Sequence, residues 1–407
     1  MINSKVYLKV HVDKVLFYLQ ILSALAWFVV LPMRSVTVRH AVVLVGTISI
    51  WLVLLYRFNK YPIKRYTFWG LMILGAIVLI GLIKGEATVD AVYSSLSFLA
   101  FFVLGTSTFD DVVDKRMLNS VLAMAVISTG MLWIQFFGQW AHITETGAYT
   151  PLLVLGMTNS NFAGIMASNL FLLILVYMKA ISIRQWWKKF ALMAVLGSLL
   201  YLIVQTGTRS CLVTIALPTV YFFFSKKKLP KFFIYIISLV PIVAVPAYLM
   251  LFNRVGNFEF LGKTFFSGRQ VIYAEHLKNI DTASKIFFGN IAEEAFTNAH
   301  NAPLSILCSV GTVGAVVKYV GLIKHLTKEN DSISTPVGRM AMICILSCIL
   351  ESSAEVHMLT GGFPGIAFMY IYYILLRYRG TKTVEGDNAI AENKISKLNQ
   401  GVLNGKY

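Results

Sequence analysis

Charge is what this chain has least of. Asp and Glu total 19 against 36 Lys and Arg, and charged residues of both signs make up only 14% of 407 positions, where a soluble domain carries about 25%. Cysteine is also scarce. Cys211, Cys308, Cys344 and Cys348 all fall in or beside apolar runs, which excludes a disulfide framework and a thiolate zinc site; Cys344 and Cys348 share a helix face as small filler. Neither a Ser-His-Asp order, nor a metal-ligand cluster, nor a phosphate-binding glycine loop is visible, so no metal and no cofactor are expected. What is abundant is apolar sequence: 57% hydrophobic residues and a mean hydropathy of +0.70, above the roughly 50% apolar share of globular proteins. These values define an all-α, polytopic membrane protein. The net charge of +17 does not indicate nucleic acid, because the basic residues sit in short clusters between apolar runs, as topology signals do.

Twelve apolar segments are predicted, near 15–33, 41–56, 67–83, 91–108, 118–137, 161–178, 190–206, 210–224, 232–252, 302–323, 340–357 and 361–376. Most approach the roughly 20 residues that a helix needs to cross a bilayer. The first follows a basic start (Lys5, Lys9, Lys14), yet it is long and lacks a small-x-small cleavage site, so it stays as an anchor. With the N-terminus cytoplasmic, 27 of the 36 Lys and Arg fall inside, Lys318 among them, and 9 outside. That bias sets both termini in the cytoplasm. Residues 1–379 form one transmembrane domain, and the polar tail 380–407 is expected to be disordered in the cytoplasm.

One long polar interval interrupts the hydrophobic pattern, Asn253 to Asn301, between the ninth and tenth segments and on the outer side. It holds Arg254, Lys263, Arg269, His276, Glu293, Glu294 and His300. Ser267 is expected to cap a short helix on which Arg269, Tyr273, His276 and Ile280 share a face. A break follows at Gly289-Asn290. The interval is too short for a core of its own and should lie as a lid over the outer helix ends. The basic clusters at 184–189 and 226–231 are both inside, so the sequence between them crosses twice. Its polar break, Gln205 to Ser210, then puts Arg209 at the outer surface. Further polarity lies at Gly138–Asn161, including His142, Glu145 and Tyr149, as a possible sugar surface, and at Glu351, Glu355 and His357. Ionisable groups within a membrane segment are costly and often functional; for Glu351 the alternative is a bundle-facing, hydrogen-bonded carboxyl.

Gln205-Thr-Gly-Thr-Arg209-Ser, Ser267-Gly-Arg269 and Ala299-His300-Asn301 followed by Gly311-Thr-Val-Gly314, in this order and on one side, resemble the O-antigen ligase and polysaccharide polymerase superfamily. The likeness covers residues 156–376. It implies a GT-C-like, metal-independent glycosyltransferase of the bacterial inner membrane, without cofactor, acting on undecaprenyl-pyrophosphate-linked glycan within membrane lipid. Flippase and chain-length regulator proteins would be its partners. By the same resemblance, Arg209 and Arg269 bind the donor pyrophosphate and His300 serves the acceptor. His276, Tyr273, Asn301 and Glu355 are weaker candidates.

The chemistry suits those residue types. Pyrophosphate is already a good leaving group, so the reaction needs fixed positive charge on the departing oxygens and a base for the attacking hydroxyl. Guanidinium forks bidentately onto phosphate, and imidazole titrates near working pH. Taken singly, Arg209 reads as a residue reaching to headgroups, His300 as a helix-start cap and His276 or His142 as incidental surface histidines. A flippase or transporter for the same lipid would share the helix count, although no repeat of polar breaks relates the two halves; a scaffold would not need Arg209, Arg269 and His300 together. Within the enzyme class, a polymerase and a ligase differ only in acceptor, and the resemblance favours the polymerase.

Overall fold

The computed structural model describes residues 2–33, 36–85, 88–107, 113–146, 154–157, 159–181, 185–224, 227–255, 259–260, 263–264, 268–294, 299–360 and 362–378. The tail 380–407, Ser267, and the side chains of His142, Glu145, Tyr149, Arg254, Glu293, Glu294 and His357 lie outside what is described.

Helices form at every apolar interval. They are α1 (Ile2–Val30), α2 (Val36–Lys60), α3 (Arg65–Lys84), α4 (Val89–Thr106), α5 (Lys115–Thr146), α6 (Ser160–Met178), α7 (Trp186–Gln205), α8 (Arg209–Phe224), α9 (Lys231–Val255), α13 (Ala302–Ser332), α14 (Pro336–Glu351) and α16 (Gly365–Leu375). Between α9 and α13 lie the two-residue antiparallel strands β1 (Glu259–Phe260) and β2 (Lys263–Thr264), then α10 (Arg269–Lys278), α11 (Ala283–Phe288) and α12 (Ile291–Glu294); α15 (His357–Thr360) precedes α16. Among the described residues, seven helices are long and apolar enough to cross a membrane. The chain is a multi-pass helical membrane protein.

Helices that are apolar all round are either lipid-facing or central, and burial separates the two. The apolar window of α6 is 83% buried, whereas that of α9 is 22% buried and exposes Ile236, Leu239 and Val243. α6 packs with α8 and α14, and α14 in turn with α16. At the centre Tyr372 Oη donates to Asn169 Oδ1 at 3.1 Å, which satisfies two polar groups that could not otherwise stay in the apolar interior.

Two expectations are corrected. First, the tenth segment is not one continuous helix ending near 323: α13 runs to Ser332 and breaks at Gly311, where φ is +67°. Gly289, at φ +73°, ends α11, and the two glycines lock together. A Cβ on Gly311 would come within 2.3 Å of the Phe287 carbonyl carbon, and one on Gly289 within 2.4 Å of that of Ser309. Both positions require positive φ, which only glycine adopts freely, and Asn290 N–H closes the contact by donating to Cys308 O at 2.8 Å. Second, Lys318 is not at the inner surface. It is 2% exposed, donates Nζ to the Leu359 carbonyl and stands 4.0 Å over the Phe98 ring. The charge bias survives its removal from the inside count. The polar interval packs against the bundle, as its length implied: Tyr273 of α10 shares a small apolar cluster with Val245 of α9 and with Leu304 and Cys308 of α13.

Exposed Lys278 and Lys227 lie on opposite sides of the assigned topology, and the four native cysteines are buried. A cysteine at Lys278 is expected to react with an impermeant thiol reagent in intact cells, and one at Lys227 to stay unlabelled; the reverse pattern would invert the orientation. Gly311→Ala is expected to lower stability in detergent by about 2 kcal/mol or more through strain and overlap, and an unchanged melting temperature would mean that α11 does not pack into the break.

Candidate active site

Three segments far apart in sequence meet at one carboxylate. Arg269 opens α10, whose N-cap is Gly268 at φ +76° with no side-chain cap. The entry geometry, not a cap hydrogen bond, aims the first residue of the helix. Arg269 Nη2 donates to Glu355 Oε1 at 3.0 Å, and the two side chains are 11% and 2% exposed. His300 Nδ1 lies 3.4 Å from Glu355 Oε2.

His300 is held in the left-handed region at φ +49°, a conformation that costs a non-glycine residue about 1–3 kcal/mol and that clusters at functional sites. Its neighbours fix it there. Tyr273 Oη donates to the His300 carbonyl at 3.1 Å. Asn301 caps α13 by accepting from Leu304 N–H at 2.8 Å, while its Nδ2 donates to Pro241 O at 3.0 Å and to Ser353 O at 3.2 Å. Ala302 N–H donates to Ser352 O at 2.9 Å. The start of α13 is thereby stitched to the turn after α14, and that turn, wound by Ala354 N–H and Glu355 N–H donating to Glu351 O, carries Glu355. Burial pushes the Tyr273 phenol above its ordinary pKa, which keeps it a neutral donor.

Arg209 begins α8 after a turn anchored by Thr208 Oγ1, which donates to Ser160 O at 2.9 Å. Its guanidinium is close enough to Arg269 for the two charges to repel, with Tyr248 nearby. His276 follows on α10, and its carbonyl takes the Cys308 thiol at 3.9 Å. Glu351, one turn before Glu355, is 3% exposed and accepts from Cys211 Sγ at 3.4 Å, the geometry of a bundle-facing carboxyl.

The protonation of the pair follows from the partners. Paired with an arginine, Glu355 is ionised, and an ionised carboxylate only accepts. In neutral His300 the tautomer that matches such an acceptor carries its proton on Nδ1 and its lone pair on Nε2. A carboxylate that orients a histidine in this way is the base-and-orienter arrangement of acyl- and group-transfer sites. Beside the site an apolar groove of about 560 Å3 runs between α9 and α13, lined among others by Ile242, Pro246, Leu304, Val316 and Val320.

The residues that the sequence singled out thus fall into two groups around Glu355. Arg269, His300, Glu355, Tyr273 and Asn301 are joined by contacts, and Arg209 stands within electrostatic range. Sequence reasoning gave Glu355 a minor place. The available signal was its spacing from Glu351, two carboxylates four residues apart in an apolar stretch. No family model, no curated protein and no solved structure matches the chain.

Removing one partner of a buried ion pair strands the other, at about 3–5 kcal/mol. Glu355→Gln is expected to destabilise the protein by an amount near the lower end of that range, and Glu355→Gln with Arg269→Met to recover part of the loss. Strict additivity in that double-mutant cycle would mean that the pair is not coupled.

Proposed function

We propose that the protein is a metal-independent glycosyltransferase that joins polyprenyl-pyrophosphate-linked glycan units at the outer face of a bacterial cytoplasmic membrane, a polysaccharide polymerase. Its twelve apolar helices cross that membrane with both termini inside. The observation that carries this reading is the convergence of two guanidinium groups and a carboxylate-oriented histidine at the outer end of the bundle, beside an apolar groove.

In this reading the donor pyrophosphate lies between Arg209 and Arg269, whose mutual repulsion a bound dianion relieves. Glu355 holds one Arg269 nitrogen and leaves the rest of the fork for phosphate. The isoprenoid chain follows the groove between α9 and α13. An acceptor sugar hydroxyl attacks the anomeric carbon of the donor glycan, the carbon–oxygen bond to pyrophosphate breaks, and the bonding pair leaves with the pyrophosphate. His300 Nε2 takes the hydroxyl proton, and the Glu355 carboxylate stabilises the resulting imidazolium through Nδ1–H. Fixed cations in a partly dehydrated site act most strongly where charge develops on the leaving group.

With reconstituted protein and a polyprenyl-pyrophosphate repeat unit, His300→Ala is expected to lower transfer per folded molecule by about 10²–10⁴-fold while donor binding persists. Arg209→Lys is expected to lose most activity although the charge is kept, because an ammonium cannot reproduce the planar fork. Transport of the lipid-linked unit without new glycosidic bonds would make the protein a flippase, and transfer only to a different acceptor would make it a ligase. Full turnover by His300→Ala would remove the histidine from the mechanism.

A further inference from the structure

The segment that carries Glu355 turns through the interior of the bundle, and one helix holds it at both ends. After α14 the chain runs through residues 352–360 without a long helix, and Ser352, Ala354, Glu355, Val356, Met358 and Leu359 are all buried. Irregular backbone in a membrane protein is tolerated only where its polar groups find partners inside the protein. At the near end α13 supplies them: Ala302 N–H donates to Ser352 O at 2.9 Å, and Asn301 Nδ2 donates to Ser353 O at 3.2 Å. At the far end lies α15, four residues long, so all of its carbonyls are among those that a helix end leaves without an intrahelical donor. One of them, Leu359 O, accepts from Lys318 Nζ. Lys318 stands on α13 beyond the break at Gly311. Each part of the broken helix thus holds one end of the segment, and Glu355 lies between the two attachments.

Lys318 is costly where it stands. Its side chain is 2% exposed, and an ammonium at that depth needs dedicated partners. Those it has are the Leu359 carbonyl and the rings of Phe98 and Phe101 on α4, whose centroids lie 4.0 and 4.8 Å from Nζ. None of them is a carboxylate. Two aromatic faces give the cation a seat away from water, and an apolar side chain of the same length would fill the same space with no charge to desolvate. What the lysine adds is its donor. Leu359 is four residues beyond Glu355, and the backbone between them is already wound, with Val356 O accepting from the N–H groups of Leu359 and Thr360. A hold on the Leu359 carbonyl is therefore a hold on the turn that presents Glu355.

We infer that Lys318 is a positioning residue for the Glu355–His300 pair: by fixing the Leu359 carbonyl it sets where the carboxylate meets Nδ1 of His300. Its effect on the reaction rests on the transferase reading above, whereas the arrangement of the pair does not depend on which reaction the pair serves.

The test compares three variants of the full chain. Lys318→Met keeps the length and removes the donor, Phe98→Leu weakens the seat of the ammonium and keeps the donor, and Leu326→Ala loosens α13 at another buried position. Protein labelled with 15N-histidine is measured in detergent at a pH where imidazole is neutral, and His300 is assigned by its absence from His300→Ala. Ring 15N shifts separate the Nδ1–H tautomer from the Nε2–H form that an unrestrained side chain prefers. Wild type and Leu326→Ala are expected to hold His300 chiefly as Nδ1–H. Lys318→Met is expected to change the tautomer ratio about tenfold toward Nε2–H, as loosening a hydrogen bond to a charged acceptor allows, with Phe98→Leu in between. In glycan transfer kcat of Lys318→Met should fall about tenfold or more with the donor KM unchanged, as for a base moved out of line. An unchanged tautomer in Lys318→Met, or in Phe98→Leu should Lys318→Met not fold, would overturn the positioning role. So would an equal change in Leu326→Ala, or a wild type without the Nδ1–H preference. A tautomer shift in a protein that makes no glycosidic bond would leave the positioning role standing and remove the transferase reading alone.

Discussion

A carboxylate that is 98% removed from solvent has to be given partners, and nearly everything at this end of the helix bundle follows from how Glu355 obtains them. Its side chain is 2% exposed and receives Arg269 on one oxygen while the other faces His300. An unpaired charge at that depth costs several kcal/mol, so α10, the start of α13 and the turn after α14 are held to a common geometry. An acceptor-only group beside Nδ1 favours the tautomer of neutral His300 with its proton there, and the same residue is held in the left-handed backbone region. Asn301 and Tyr273 complete the arrangement through carbonyls at positions 300 and 353.

The second device is the contact between two glycines. Because Gly311 breaks α13, its first nine residues form a separate short helix against which α11 can lie, and that short helix carries His300 at its head. The outer interval therefore acts with the bundle as one packed unit. Pro241 and Pro246 within α9 belong to the same design: the Pro241 carbonyl accepts from the Asn301 side chain, and Pro246 lines the groove that runs beside the site.

Much of this was legible in the residues. Apolar runs of about membrane length are local sums, so the helices, the polar interval and the grouping of Arg269 with His300 beside that interval could be read without any contact being known. The helical face of Arg269, Tyr273, His276 and Ile280 follows from 3.6-residue periodicity, and Lys278 and Asn279 are exposed as that periodicity requires. At the start of α10 the left-handed Gly268 sets the entry of the chain by backbone conformation and supplies no side-chain acceptor.

Tertiary structure alone decided the rest. Glu355 is 86 residues from Arg269 and 55 from His300, and pairings at such separation leave no trace in periodicity or composition. Lys318 looked like one more inner charge because hydropathy counts residues and does not see the Phe98 ring and the Leu359 carbonyl that receive it. The break at Gly311 was equally hidden, since glycine in an apolar helix is common and only the approach of another backbone to within van der Waals overlap makes it obligatory. The sequence by itself determined which segments are apolar enough to leave water and where polar residues interrupt them, because transfer free energies add along the chain. Which polar groups meet was determined by packing, because a buried charge is satisfied only by the particular partners that the fold brings to it.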